Sequence, residues 1–246
     1  MTGPLADLGI ATVAVPLPSC GEGEGEGGDG LSGLRADVRA CARAVAEAQG
    51  PVILCGHSYG GMIITEAGAD DRVAQLIYVT SVMPDTGQSQ ADLIGSEPAP
   101  WLRPGDDGTV GVDPALVREF FLQDCDQETT EQALARLTRQ SLTPFTQPPR
   151  HIGWRLKPTS YVVCTEDLAT PAETQRRRVR PGVRPVEIHA GHHPFLSRPD
   201  AFARLIATEI DSVDAARTSA GSACRSWGRP GRSPDSDPTA GAGSGS

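Results

Sequence analysis

No stretch of this 246-residue chain is apolar for long enough to cross a bilayer, and Met1 to Ala11 holds no basic segment leading into an apolar one. A membrane span and a secretory leader are therefore not expected. Basic residues are also scarce: 22 Lys and Arg stand against 31 Asp and Glu, giving a net charge of −9 and a pI near 5.0. A nucleic-acid surface needs clustered cations, and the one basic run, Arg176-Arg177-Arg178, reads as a solvated helix face. Cysteines 20, 41, 55, 125, 164 and 224 follow neither metal-site nor disulfide-scaffold spacing. Cys55 and Cys164 fall inside apolar strands as small hydrophobes, which suits a reducing cytoplasm. The only glycine loop that resembles a phosphate cradle, Gly21 to Gly30, is acidic and lacks a lysine, so no nucleotide is expected. Its spacing matches no calcium loop either, and the expectation is a chain without metal or cofactor. At this length one core forms, with room for an insertion.

What the chain does have is Val52-Ile53-Leu54-Cys55-Gly56-His57-Ser58-Tyr59-Gly60-Gly61-Met62-Ile63-Ile64. An apolar, β-branched run after Pro51 reads as a buried strand, and Met62 to Ala69 as a helix of small and apolar residues. Between them lies Gly-x-Ser-x-Gly. Gly56 and Gly60, having no Cβ, are expected to let strand and helix approach closely and to let Ser58 take a strained conformation that exposes its Oγ. The motif alone is common as a glycine-rich turn; the strand before it and the helix after it make it a nucleophile elbow.

Along the rest of the chain, Thr12 to Val15 reads as a short strand and Leu31 to Ala48 as an amphipathic helix. The repeated Gly-Glu between them is expected to be a mobile loop. Val73 to Val79 is the next strand. From Met83-Pro84-Asp85 to Pro149 the pattern is mixed, with helices expected over Pro114 to Gln123 and Glu128 to Gln140, as in an inserted cap. Strands follow at Ser160 to Cys164 and Val186 to His189, and a last helix at Pro199 to Val213. The expected division is a core of residues 1–81 and 150–215, a cap of 82–149, and a disordered tail, 216–246, rich in Gly, Ser and Pro.

A serine needs a base, and the base an orienting acid. Of five histidines, His57 adjoins Ser58 and should point away from it, His151 lies in the return from the cap, and His189 ends a strand where burial is expected. Gly191-His192-His193-Pro194 follows a strand at its carboxyl end, the edge where α/β sheets place chemistry. His192 is the preferred base and His193 its competitor, otherwise a pocket wall. Asp167, in the turn after the preceding strand, is the preferred acid, with Asp85 the fallback; Glu166 is expected to face water. Met62, Met83, Trp101, Phe120, Phe121 and Phe145 are candidates for an apolar lining or for cap packing.

Together these segments resemble the plant methylesterase and hydroxynitrile lyase branch of the α/β-hydrolases and its bacterial small-esterase relatives. The likeness runs from about Leu5 to Ile210. It rests on Gly-His-Ser-Tyr-Gly-Gly-Met, on Val82-Met83-Pro84-Asp85, on Tyr161 to Asp167 with Pro171 and Gln175, and on Gly191-His192 leading into Leu196-Ser197-Arg198-Pro199. The resemblance implies an α/β-hydrolase fold: a mostly parallel sheet flanked by helices, with a lid over a small apolar pocket. It further implies a Ser58 nucleophile, a His192 base, an Asp167 acid and the Tyr59 N–H as an oxyanion donor, with His193, Met83, Trp101 and Phe121 meeting substrate. Lyase members carry a lysine after the base, where this chain has His193, which favours hydrolysis of a small carboxylic ester. Such proteins also begin with a strand ending in a His-Gly loop and then a long helix, and Met1 to Gly9 resembles only the end of that helix. The resemblance thus implies an N-terminally truncated fold with a strand missing between Thr12–Val15 and Val52–Cys55. A slow, ligand-binding member of the fold is the rival reading.

Overall fold

A computed structural model of the chain describes residues 2–21, 32–95 and 99–226, with side chains from 3 to 212. The glycine and glutamate repeat from 22 to 30 lies outside the described residues. A short helix, α1 (Thr2–Ala6), comes first. Next is α2 (Leu34–Glu47), which starts later than the expected Leu31 because Gly33 is extended and has no side-chain cap of its own. The Leu34 N–H is taken instead by Gln147 Oε1 at 2.7 Å, from the far end of the expected cap.

The elbow region follows as β1 (Val52–His57) and α3 (Gly60–Ala67), then β2 (Val73–Val79). The expected cap contains α4 (Gln90–Ile94), β3 (Leu102–Pro104), β4 (Thr109–Val112), α5 (Pro114–Phe120), α6 (Gln127–Ala135) and β5 (Gln140–Ser141). Its three strands pair antiparallel in the order β3-β4-β5, a small sheet that runs too short for periodicity to reveal. The core resumes with β6 (Thr159–Cys164), α7 (Ala172–Arg178), β7 (Arg184–Ile188), α8 (Pro194–Ser197) and α9 (Pro199–Ser226).

The main sheet is parallel throughout, in the order β1-β2-β6-β7. Alternate residues of each strand feed opposite faces. Leu76, Tyr78, Tyr161 and Val163 pack with Leu34, Val45 and Met62 on one face. Ile77, Val79, Val162 and Cys164 pack with Leu5, Phe202 and Ile206 on the other.

Four expectations are corrected. Thr12 to Val15 is not a strand: it makes no ladder, and Val13 is 79% exposed. Among the described residues nothing pairs with the outer edge of β1, so this extended segment has no neighbour to bond. For the same reason Cys55 on β1 is exposed, whereas Cys164 on inner β6 is buried. His189 is exposed, with Thr165 Oγ1 at 3.1 Å from its Nδ1, because β7 is the opposite edge. Finally, α9 extends to Ser226, into the region expected to be a tail. Once its first turns are anchored on the sheet, an alanine-rich run extends a helix without a new nucleation cost. Residues 227–246 lie outside the described residues.

Candidate active site

The elbow forms as the sequence requires. Ser58 has φ +51, and it and Thr80 are the two non-glycine residues with positive φ among the described residues. The Ser58 N–H donates to Val79 O at 3.2 Å, and its carbonyl accepts from Gly61 N at 3.2 Å and Ser81 Oγ at 2.5 Å. A Cβ on Gly56 would lie 2.8 Å from Gly60 O, so Gly56 is needed for the approach of strand and helix. Gly60 is not: a Cβ there would meet nothing within 4 Å. Gly61 takes that role, since its Cβ would fall 2.1 Å from both Ser81 Oγ and Val82 O.

His192, after β7, and Asp167, after β6, reach the same carboxyl edge, each 3% exposed. His192 Nδ1 is 2.8 Å from Asp167 Oδ2, so the network assigns the imidazole proton to Nδ1 and leaves the lone pair on Nε2. Asp167 is held from all sides. Thr80 Oγ1 donates to Oδ2 at 2.5 Å, Gln175 Nε2 to Oδ2 at 3.3 Å, and Thr170 N to Oδ1 at 2.8 Å. Among the described residues no hydrogen bond joins Ser58 to His192, a contact that often tightens only around substrate. The two loops nevertheless meet through His57, whose ring packs 4.7 Å from that of His192 and whose Nε2–H donates to the His192 carbonyl at 2.8 Å. His57 therefore has the structural role expected of it. Burial, reinforced by His192 and His193, holds its pKa well below the usual histidine range.

His193 Nδ1–H donates to Phe121 O at 3.0 Å. Burial, with His192 beside it, lowers its pKa to about 4, so the ring is neutral. It makes no hydrogen bond to Asp167, which pairs with His192 instead. Phe121 stands edge-on to His192 at 4.8 Å, and Trp101 packs on Phe121 at 5.0 Å. Phe121 thus meets His192 and Trp101 backs it, whereas Met62 and Met83 are buried in the first core face. Asp85 is elsewhere, paired with Arg155 at 2.5 Å. The Tyr59 N–H has no acceptor among the described residues. The Tyr59 phenol donates to buried Asp37 at 2.6 Å; burial first and then Asp37 raise the phenol pKa.

Sequence reading missed Thr80, Ser81, Asp37 and Asp124. The first two were within reach, being polar residues directly after an apolar strand, at its carboxyl end. Asp124 Oδ2 accepts from Gly191 N at 2.7 Å, but nothing local in the chain announces that contact. A hollow of about 520 Å³ lined by Arg72, Lys157 and Pro158 opens at the amino edge of the strands, opposite this cluster. In parallel sheets the chemistry collects at the carboxyl edge, so the hollow is set apart from the site.

The model of the alpha/beta hydrolase family matches residues 2–205. The chain belongs to that family. A pyrethroid hydrolase of Sphingobium wenxiniae is 31% identical to this alpha/beta hydrolase over 71% of this chain and 69% of its own length. The solved structure of a pyrethroid hydrolase from Sphingobium faniae is 28% identical, with a TM-score of 0.72 over 87% of this chain and 90% of that one. A polyneuridine aldehyde esterase mutant, 19% identical, superposes with a TM-score of 0.70 over 84% and 91% and shows the shared fold. No helix among the described residues of this alpha/beta hydrolase is long and apolar enough to cross a membrane.

Proposed function

We propose that this alpha/beta hydrolase is a serine esterase that cleaves a small, largely apolar carboxylic ester. The observation that carries the reading is the buried His192–Asp167 pair, 2.8 Å apart, beside a serine held at positive φ on a strand-to-helix elbow. Ser58 Oγ attacks the ester carbonyl carbon while His192 Nε2 takes its proton. The Tyr59 N–H receives the oxyanion. Collapse breaks the bond to the alcohol oxygen, which leaves with the proton from His192, and Ser58 keeps the acyl group. Water, deprotonated by His192, attacks that acyl carbon, and the carboxylic acid is released as the proton returns to Ser58. Asp167 holds the imidazole in the required tautomer.

Trp101, Phe121 and neutral His193 support an uncharged substrate. His193 also argues against cyanide release, because its Nδ1–H is committed to Phe121 O and the ring carries no positive charge. The names of the pyrethroid hydrolases and of the esterase point the same way.

A fluorophosphonate should label Ser58 once and leave Ser58→Ala unlabelled. His192→Ala should lower kcat/KM on a short-chain aryl ester by several orders of magnitude, whereas His193→Ala should chiefly change substrate preference. Full esterase activity in Ser58→Ala, or a larger loss in His193→Ala than in His192→Ala, overturns the assignment. Measured saturable ligand binding with negligible turnover would favour the binding-protein reading.

A further inference from the structure

The two positive-φ side chains of the described residues are not independent. Ser58 sits after β1 and Thr80 after neighbouring β2, and the Ser58 N–H bonds to Val79 O, one residue before Thr80. Thr80 is β-branched with φ +37, a conformation such residues rarely adopt and which persists only where the surroundings fix it. The surroundings do fix it. Thr80 N donates to Val162 O at 3.0 Å, and the next residue is clasped by Tyr161, whose hydroxyl accepts from Ser81 N at 2.9 Å and donates to Ser81 O at 2.6 Å. Both residues are buried. Held this way, their adjacent hydroxyls point to two different parts of the site. Thr80 Oγ1 donates to Asp167 Oδ2 at 2.5 Å, the oxygen that also receives His192 Nδ1–H. Ser81 Oγ donates to the Ser58 carbonyl at 2.5 Å.

We propose that Thr80 and Ser81 are positioning residues, a strained two-residue bracket that sets the acid with one hydroxyl and the nucleophile's backbone with the other. The proposal rests on the reading of Ser58, Asp167 and His192 given above. It explains why strain stands at a residue that touches no substrate. A plain structural role for Thr80 would be better served by a residue that accepts positive φ without cost. The Thr80 hydroxyl also draws charge from Asp167 Oδ2. Without it more charge stays on that oxygen, which then draws the His192 Nδ1–H more strongly. The other titratable groups around that ring are His57 on β1, His193 on its own loop and Asp124 from the cap.

The test uses the full chain and the variants Thr80→Val, Thr80→Ser, Thr80→Gly and Ser81→Ala. Proton NMR of the low-field His192 Nδ1–H signal, identified by its loss in His192→Gln, should show it displaced downfield in Thr80→Val. It should be unmoved in Thr80→Ser. On an aryl ester, Thr80→Val and Ser81→Ala should each lose about tenfold or more in kcat with KM nearly unchanged, and Thr80→Ser should recover most of it. Thr80→Gly, which relieves the strain, should keep or raise Tm while losing kcat, the opposite of a packing residue. An unmoved His192 Nδ1–H signal in Thr80→Val, or losses in kcat that merely follow Tm, overturns the proposal. Failure of the triad reading shows differently: Ser58→Ala would keep its activity, while the His192 Nδ1–H signal would still report whether Thr80 governs the pair.

Discussion

The elbow places opposite demands on neighbouring glycines. Gly60 and Gly61 stand side by side in Gly-Gly-Met, yet a methyl group at Gly60 meets open space and one at Gly61 would fall 2.1 Å from Ser81 Oγ and from the Val82 carbonyl. A backbone carbonyl at that distance cannot be displaced cheaply, because Ser81 is itself fixed by Tyr161 and Ser58. Gly61→Ala should therefore destabilise the protein by about 3 kcal/mol or more, in the range of severe core overpacking, and separate β2 from the elbow. Gly60→Ala should lie within about 1 kcal/mol of the parent, and on the favourable side if helix propensity at the start of α3 prevails. Urea unfolding of the two variants compares them directly; equal losses would mean that the approach of α3 to β2 does not depend on Gly61.

The segment expected to be a cap is joined to the main-sheet region at its return and near its middle by a few directed bonds. At its return, Gln147 Oε1 takes the Leu34 N–H and so supplies the N-terminal cap that Gly33 lacks, while Arg35 donates to Pro148 O at 2.6 Å and pairs with Glu66. At the end of α5, Phe121 O accepts from His193, Gln123 Nε2 donates to Glu166 O at 2.7 Å and Asp124 Oδ2 accepts from Gly191 N. Each of these three bonds lands on a loop that carries the proposed acid or base. Gln147→Ala should cost about 1 kcal/mol of stability, the usual worth of a helix cap, with little effect on kcat. Asp124→Ala should act at the middle junction: amide exchange across Gly191 to Pro194 should quicken and activity should fall, with a smaller change in Tm. Unaltered exchange in that loop would show that Asp124 does not secure it. These bonds were illegible in the chain because each joins residues tens of positions apart through a loop, where no periodicity constrains the partner. The strands β2 and β6 were legible, since a parallel strand buried on both faces is a plain run of β-branched and aliphatic residues.

On the scale of the whole molecule, His57 and His193 pack between the elbow, Phe121 and the His192 loop, and their lowered pKa values predict a fold that loses stability in acid. The pKa of His193 is about 4 when folded, against an ordinary value of about 6.5, and that of His57 is lowered as well. Above about pH 6.5 neither state protonates these rings and their contribution to stability is complete. Below that value the unfolded chain binds protons that the folded one refuses, so stability falls as the pH drops from about 6.5 through about 4. Calorimetric Tm should decline across that window, and His193→Gln should make the decline shallower; the same slope in both proteins would show that His193 is not sealed. By itself the sequence determined the elbow, the strand order of chemistry along the chain and the identity of Ser58, Asp167 and His192 as candidates. These depend on local rules: a glycine where backbones must touch, and polar residues at the carboxyl ends of apolar strands. Only the tertiary structure decided that Thr12 to Val15 has no strand to pair with, that Cys55 is exposed, that Gly61 rather than Gly60 is the tight contact, and that Thr80 bonds to Asp167 and Ser81 to the Ser58 carbonyl. Each of those outcomes depends on what lies across a gap in space from a residue, and hydrogen-bond partners and steric limits at that range are fixed by packing, not by neighbours in the chain.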